Sequence, residues 1–184
     1  MLKTTLLSFA LLIASTYAAA PATNRPPESA ATYHPESVRV WFSPNGDCTG
    51  AIVEAINSAR TSIRVQAYSF TSAPIAAALV GAHKRDVDVA VILDRSQKTE
   101  KYSSADFLVH AGIPTFIDAK HAIAHNKIMV IDGVRVLTGS FNFTKSAEEK
   151  NAENLLLITD ADLAARYLSN WLEHQRHSQP YEGK

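Results

Sequence analysis

The stretch His125–Ser140, HNKIMVIDGVRVLTGS, decides how the chain is read. Two apolar runs, Asn126 to Ile131 and Val134 to Thr138, flank Asp132-Gly133. Asp-Gly between such runs predicts a tight β-hairpin, because the favoured two-residue turn needs φ > 0 at both central positions. A two-residue turn pairs residue 131 with 134, which sets Lys127 opposite Thr138 and His125 opposite Ser140. Side chains alternate along a strand, so His125 and Lys127 share a face. A histidine, a lysine and a serine hydroxyl are therefore expected at the open end of one hairpin. Asp132 lies at the other end, ~17 Å from Lys127 at a strand rise of ~3.3 Å per residue. It is placed to hold the turn rather than to do chemistry.

Strands and helices alternate on both sides of the hairpin. Val38–Phe42, Ile63–Tyr68, Val87–Leu93, Thr115–Ile117 and Asn154–Ile158 read as strands. Helices are predicted from an Asp47 N-cap to Arg60, from Ser72-Pro74 to about Arg85, over Ser104–Ala111 and over Ala161–His174. Val87–Leu93 is almost wholly aliphatic, as in a strand covered on both faces. The expected fold is α/β: a mixed β-sheet flanked by helices in a layered single domain over residues 37–184. No internal repeat is present.

Residues 1–18 read as a cleavable secretory signal peptide: Lys3, the apolar run Leu6–Ile13, then small residues with Thr16 and Ala18 at the cleavage positions. That run is too short for a bilayer, which needs ~20 apolar residues. The expectation is a periplasmic or secreted protein with no integral membrane segment in its mature chain. Residues 19–36, with four prolines, read as a flexible lead-in. The whole chain balances 18 Lys+Arg against 18 Asp+Glu, so binding to a polyanion must come from local patches rather than net charge. Cys48 is the only cysteine, which excludes an intramolecular disulfide. It reads as a small buried hydrophobe near a helix start, with an interchain bridge as the alternative.

His125-x-Lys127, four residues, Asp132, six residues, Gly139-Ser140 matches the HxK(x)4D(x)6GS signature of the phospholipase D superfamily. The resemblance extends to Asn142 and Glu153. Upstream, WFSP, AIVEAINSAR and SIRVQAYSFTS resemble the superfamily's small bacterial endonuclease branch. The resemblance implies a metal-independent, cofactor-free phosphodiesterase. In it His125 is the nucleophile, Lys127, Ser140 and Asn142 hold the phosphoryl oxygens, and Glu153 orients the imidazole. Gly139 and Asp132 are structural parts of the motif. Superfamily phosphodiesterases use two such motifs and this chain has one, which implies a homodimer. Nucleic acid, DNA and also RNA, is the implied substrate. Lys120, His121, Lys145, Lys150, Arg95, Lys98 and Lys101 are candidate basic contacts.

Three other readings compete. Asp118, His121 and His125 suggest a metal site, but HAIAH lacks the glutamate of HExxH and Lys127 would repel a cation. Hydrolysis of phospholipid head groups would use the same chemistry and calls for an exposed apolar rim at the pocket. A non-catalytic nucleic-acid-binding protein would not need His125 or Lys127, and both are present.

Overall fold

A computed structural model describes residues 32–184. The signal peptide and most of the lead-in fall outside the described residues. The aliphatic runs form the strands β1 (Ser37–Ser43), β2 (Ser62–Ala67), β3 (Asp88–Asp94), β4 (Thr115–Asp118), β5 (Lys127–Ile131), β6 (Arg135–Gly139), β7 (Glu153–Thr159) and β8 (Gln179–Pro180). The helices are α1 (Cys48–Asn57), α2 (Ala73–His83), α3 (Ala105–His110), α4 (Lys145–Glu149) and α5 (Ala161–His177). The strands make one sheet in the order β1-β7-β6-β5-β2-β3-β4-β8. β2, β3 and β4 run parallel, and the other pairings are antiparallel. The sheet is mixed, as expected, and β8 and α4 are additions to the predicted elements.

Alternation along the strands builds two cores. On one side Val65, Val91, Met129, Leu137 and Leu157 pack with residues of α1, α2 and α3. On the other, Ile92, Ile128, Val130 and Val136 pack under Ala164 and Trp171 of α5. The Trp171 indole N–H donates to the Val65 carbonyl at 2.8 Å, so its one polar atom is satisfied inside the core. β3, covered on both faces, is buried from Val89 to Asp94. Cys48 opens α1 fully buried, and its thiol pKa is pushed up to about 11 by burial and then by nearby Glu148. That thiol is a packed hydrophobe, not a bridge donor.

Two local expectations are corrected. Asp47 does not cap α1: it sits at φ 60° with no side-chain cap bond, and Glu148 of α4 takes the Thr49 amide instead at 2.7 Å. The hairpin register also differs. Asp132 and Gly133 do have positive φ, and the Val134 amide closes the turn on the Ile131 carbonyl at 3.2 Å. The ladder, however, resumes with Arg135 opposite Ile131 and Thr138 opposite Ile128, leaving Val134 as an extra residue. A one-residue slip exchanges the faces of a whole strand. Here it sends Leu137 into the core beneath α1–α3 and Val136 beneath α5. It also places Gly139, not Thr138, across from Lys127.

Asp132 ties this turn to the start of β2. Its carboxylate accepts from the amides of Arg60 (3.0 Å), Thr61 (2.8 Å) and Ser62 (3.2 Å), and from the Thr61 hydroxyl and the Arg135 guanidinium. Burial alone would raise its pKa, but the amides of Thr61, Arg60 and Ser62 outweigh burial and hold it below the ordinary value. A depressed folded pKa stabilises fully above the unfolded value near ~4, and that contribution fades as pH falls through the folded value. Asp132→Ala is expected to cost about 2–4 kcal/mol in urea unfolding at pH 7, because three amides lose a charged acceptor. The gap from wild type should narrow below about pH 4. An unchanged midpoint would remove this role.

Candidate active site

The parallel strands β2, β3 and β4 end on the same edge of the sheet, and β5, antiparallel to β2, begins there. Lys127 is the first residue of β5 and pairs with Ala67, the last of β2. His125 lies two residues before it, at the end of a connection that starts after Asp118. Two side chains fasten that connection, one buried and one exposed. Asp94 Oδ2 accepts from the Ala124 amide at 2.8 Å, and the Arg95 guanidinium donates to the Ala122 carbonyl at 2.9 Å. Arg95 is thereby tied to this connection while remaining exposed.

His125 is exposed, and its ring lies on Tyr68 with centroids 4.6 Å apart. Lys127 is only 7% exposed. Its Nζ lies 3.0 Å from each ring nitrogen of His125 and donates to the His125 carbonyl at 2.8 Å. Equal separations from both nitrogens put the ammonium off either lone-pair axis. It also stands 5.1 Å from the centre of the Tyr68 ring, whose face favours a cation. Burial lowers the Lys127 pKa, and nearby Glu153 acts in the opposite direction. Tyr68 is the residue sequence reasoning missed. Its signal was only positional: it immediately follows β2, next to the start of β5.

The strand β6 ends at Gly139 for a steric reason. A Cβ there would lie 2.2 Å from the Asn154 carbonyl oxygen, so any other side chain would push β6 and β7 apart. The chain then folds over β7. Ser140 N donates to the Asn154 carbonyl, and Ser140 Oγ accepts from the Asn154 amide, both at 3.1 Å. The hydroxyl hydrogen remains available to a ligand. Asn142 Oδ1 is buried without a partner, and the two ends of such an amide are interchangeable by rotation.

His125, Lys127, Ser140, Asn142 and Glu153 line one open cavity of about 560 Å³, together with Thr138 and Tyr167. The grouping expected of these residues is present, but the predicted register is not its cause. Ser140 reaches the cavity because the chain turns after Gly139, not because it pairs with His125. Glu153 Oε1 accepts from the Asn151 side-chain Nδ2 at 3.0 Å, rather than from the imidazole. Of the outlying cations, Lys145 pairs with Glu149 at 3.5 Å and Lys101 lies over the Tyr102 ring. His121 faces Asp118.

Chemically, the cavity offers a nucleophilic imidazole, a buried cation and two neutral donors, a set suited to a tetrahedral oxyanion. Comparison with known proteins agrees. Residues 52–175 match the family model described as cardiolipin synthase, PLD-like domain. A phospholipase D of Rickettsia bellii is 45% identical over 138 residues, covering 75% of this chain and 69% of that protein. A mitochondrial cardiolipin hydrolase of Danio rerio is 31% identical, covering 70% of this chain and 57% of its own. The crystal structure of Nuc from Salmonella typhimurium, a phospholipase D family member, superposes with a TM-score of 0.77 at 41% identity, covering 80% of this chain and 99% of Nuc. With the motif residues His125, Lys127 and Ser140 gathered in one cavity, the chain belongs to the phospholipase D superfamily and is a phosphodiester hydrolase.

Proposed function

We propose that the protein is an exported, metal-independent endonuclease that cleaves DNA, and RNA, without sequence preference. The active site is completed by a second copy of the chain. The observation that carries the reading is the single cavity in which His125, Lys127, Ser140, Asn142 and Glu153 converge. The His125 lone pair attacks phosphorus and forms a P–N bond, while Lys127, Ser140 and Asn142 hold the non-bridging oxygens. The P–O bond to the leaving group breaks, and the partner subunit's His125 gives that oxygen a proton. The same partner imidazole then takes a proton from water. The hydroxide so formed attacks phosphorus, the P–N bond breaks, and His125 regains its lone pair. Glu153 accepts from the imidazolium once substrate displaces Lys127 from the ring.

Three observations support two chains and export. One chain carries one motif, so the acid must come from elsewhere. α5 packs against β2, β4, β5 and β6, while Val38, Val40 and Phe42 on β1 remain 52%, 50% and 64% exposed. That apolar strip reaches the cavity through Leu156, which pairs with both Val40 and the cavity residue Thr138. An isologous contact across the strip would bring two cavities together. Residues 1–18 support export, and no helix among the described residues is long and apolar enough to cross a membrane. The upstream resemblance to the endonuclease branch and the 99% coverage of Nuc favour nucleic acid over lipid.

Purified protein in excess EDTA is expected to nick and then degrade supercoiled plasmid, with rates that fall as salt rises. Loss of cleavage in EDTA, restored by added magnesium, would overturn metal independence. Cleavage of phospholipid vesicles with plasmid left intact would replace the nuclease reading by the lipid one. That lipid reading rests on the names of the relatives and on the exposed apolar strip.

A further inference from the structure

A second cluster stands on the same edge of the sheet, and none of its members lines the catalytic cavity. Asp118 ends β4, His121 follows three residues later, and His174 and His177 lie one turn apart near the end of α5. Asp118 is fully buried. Its Oδ1 is oriented by the amides of Lys120 (3.0 Å) and His121 (3.4 Å). Its Oδ2 faces three imidazole nitrogens: His121 Nδ1 at 2.9 Å, His174 Nδ1 at 3.0 Å and His177 Nε2 at 3.3 Å. The four donor atoms lie within 4.8 Å of one another.

Hydrogen bonding alone accounts poorly for this arrangement. One carboxylate oxygen offers about two lone-pair directions, and here three ring nitrogens compete for them. His174 Nδ1 is claimed twice, by Asp118 Oδ2 and by the Gln66 side-chain amide at 3.1 Å. One ring nitrogen cannot donate to the carboxylate and accept from the amide. Gln66 is 1% exposed and its Oε1 has no partner, so an unsatisfied oxygen sits on the amide that abuts the cluster. The three rings are packed with centroids 4.8–5.3 Å apart, so their nitrogens converge on one small space. A cation removes the competition for Asp118 Oδ2, since each imidazole nitrogen and the carboxylate can then direct a lone pair at one point.

We propose that Asp118, His121, His174 and His177 form a closed site for a zinc-type divalent cation that clamps the end of α5 to the loop leading to His125. Tetrahedral zinc with bonds of ~2.0–2.1 Å to nitrogen and oxygen has ligand–ligand edges of about 3.3 Å. The three carboxylate–imidazole separations are already near that value, so only the rings must draw together. Three imidazoles and one carboxylate suit zinc, with cobalt, nickel and copper as competitors, and disfavour magnesium and calcium. Four protein ligands leave no open position, the pattern of a structural site. The metal therefore takes no part in hydrolysis. It fixes both segments that reach the catalytic cavity from this side, the loop ending at His125 and the helix carrying Tyr167.

The test uses full-length processed protein stripped with chelator, then titrated with Zn2+ and, separately, Co2+ alone. Expected are one equivalent bound, the intense visible absorption of tetrahedral Co2+, and a Tm raised by Zn2+. His177→Ala, and His121→Ala with it, should weaken binding by about 100-fold or more, beyond what loss of an orienting neighbour does. Both side chains are partly exposed, so these variants are expected to fold. His125→Ala should bind the metal like wild type. Absence of stoichiometric binding, octahedral Co2+ spectra, or undiminished binding in the double variant would each overturn the site. Loss of binding in His125→Ala with binding kept in His177→Ala would move the metal to the catalytic cavity and overturn it too. Plasmid cleavage in EDTA by His177→Ala at low temperature should equal that of stripped wild type, which separates this site from the nuclease reading.

Discussion

His125→Ala should abolish plasmid cleavage, with a loss of at least about 10⁴-fold, because it removes the nucleophile and, in a two-chain site, the acid as well. The fold and the oligomeric state should persist, since the ring is exposed. DNA binding should change little, because the donors Lys127, Ser140 and Asn142 are untouched. Denaturing quench of the wild-type reaction on labelled DNA should yield acid-labile, base-stable label on the protein, and the variant should yield none. A variant that cut DNA at near-normal rate would sink the phosphohistidine mechanism.

The second large effect concerns the strip on β1. Val40→Asp combined with Phe42→Asp should produce a folded, monomeric and inactive protein. The residues are half or more exposed, so the chain alone loses little burial when they become polar. Two facing copies would bury four carboxylates without partners, at a cost of several kcal/mol each. Sedimentation should show a monomer, and cleavage should fall by orders of magnitude because no partner imidazole reaches the leaving group. If the variant remains a dimer with full activity, the strip is not the interface. If it remains a dimer but loses binding to anionic vesicles, the strip meets lipid.

The fate of the hairpin explains what could be read ahead and what could not. Asp132-Gly133 and its flanking aliphatic runs announced the turn and both strands, because positive φ and β-branched runs are local properties. The register was not local. It depended on whether Leu137 or Val136 would find room beneath α1–α3, and that cavity is made by helices far away in sequence. Asp47 failed as a cap for a similar reason, since Glu148, about a hundred residues later, supplies the acceptor to the Thr49 amide.

Sequence alone determined the α/β alternation, the superfamily, and the identity of the motif residues, because each is written in residue type and short spacing. Tertiary structure decided everything that depends on non-local contact. It seated His125 on Tyr68, buried Lys127, and left Val38, Val40 and Phe42 bare beyond the reach of α5. It also set His121, with Asp118, beside His174 and His177. Those histidines are more than fifty positions from His121, and only the packing of α5 across the sheet brings them to Asp118.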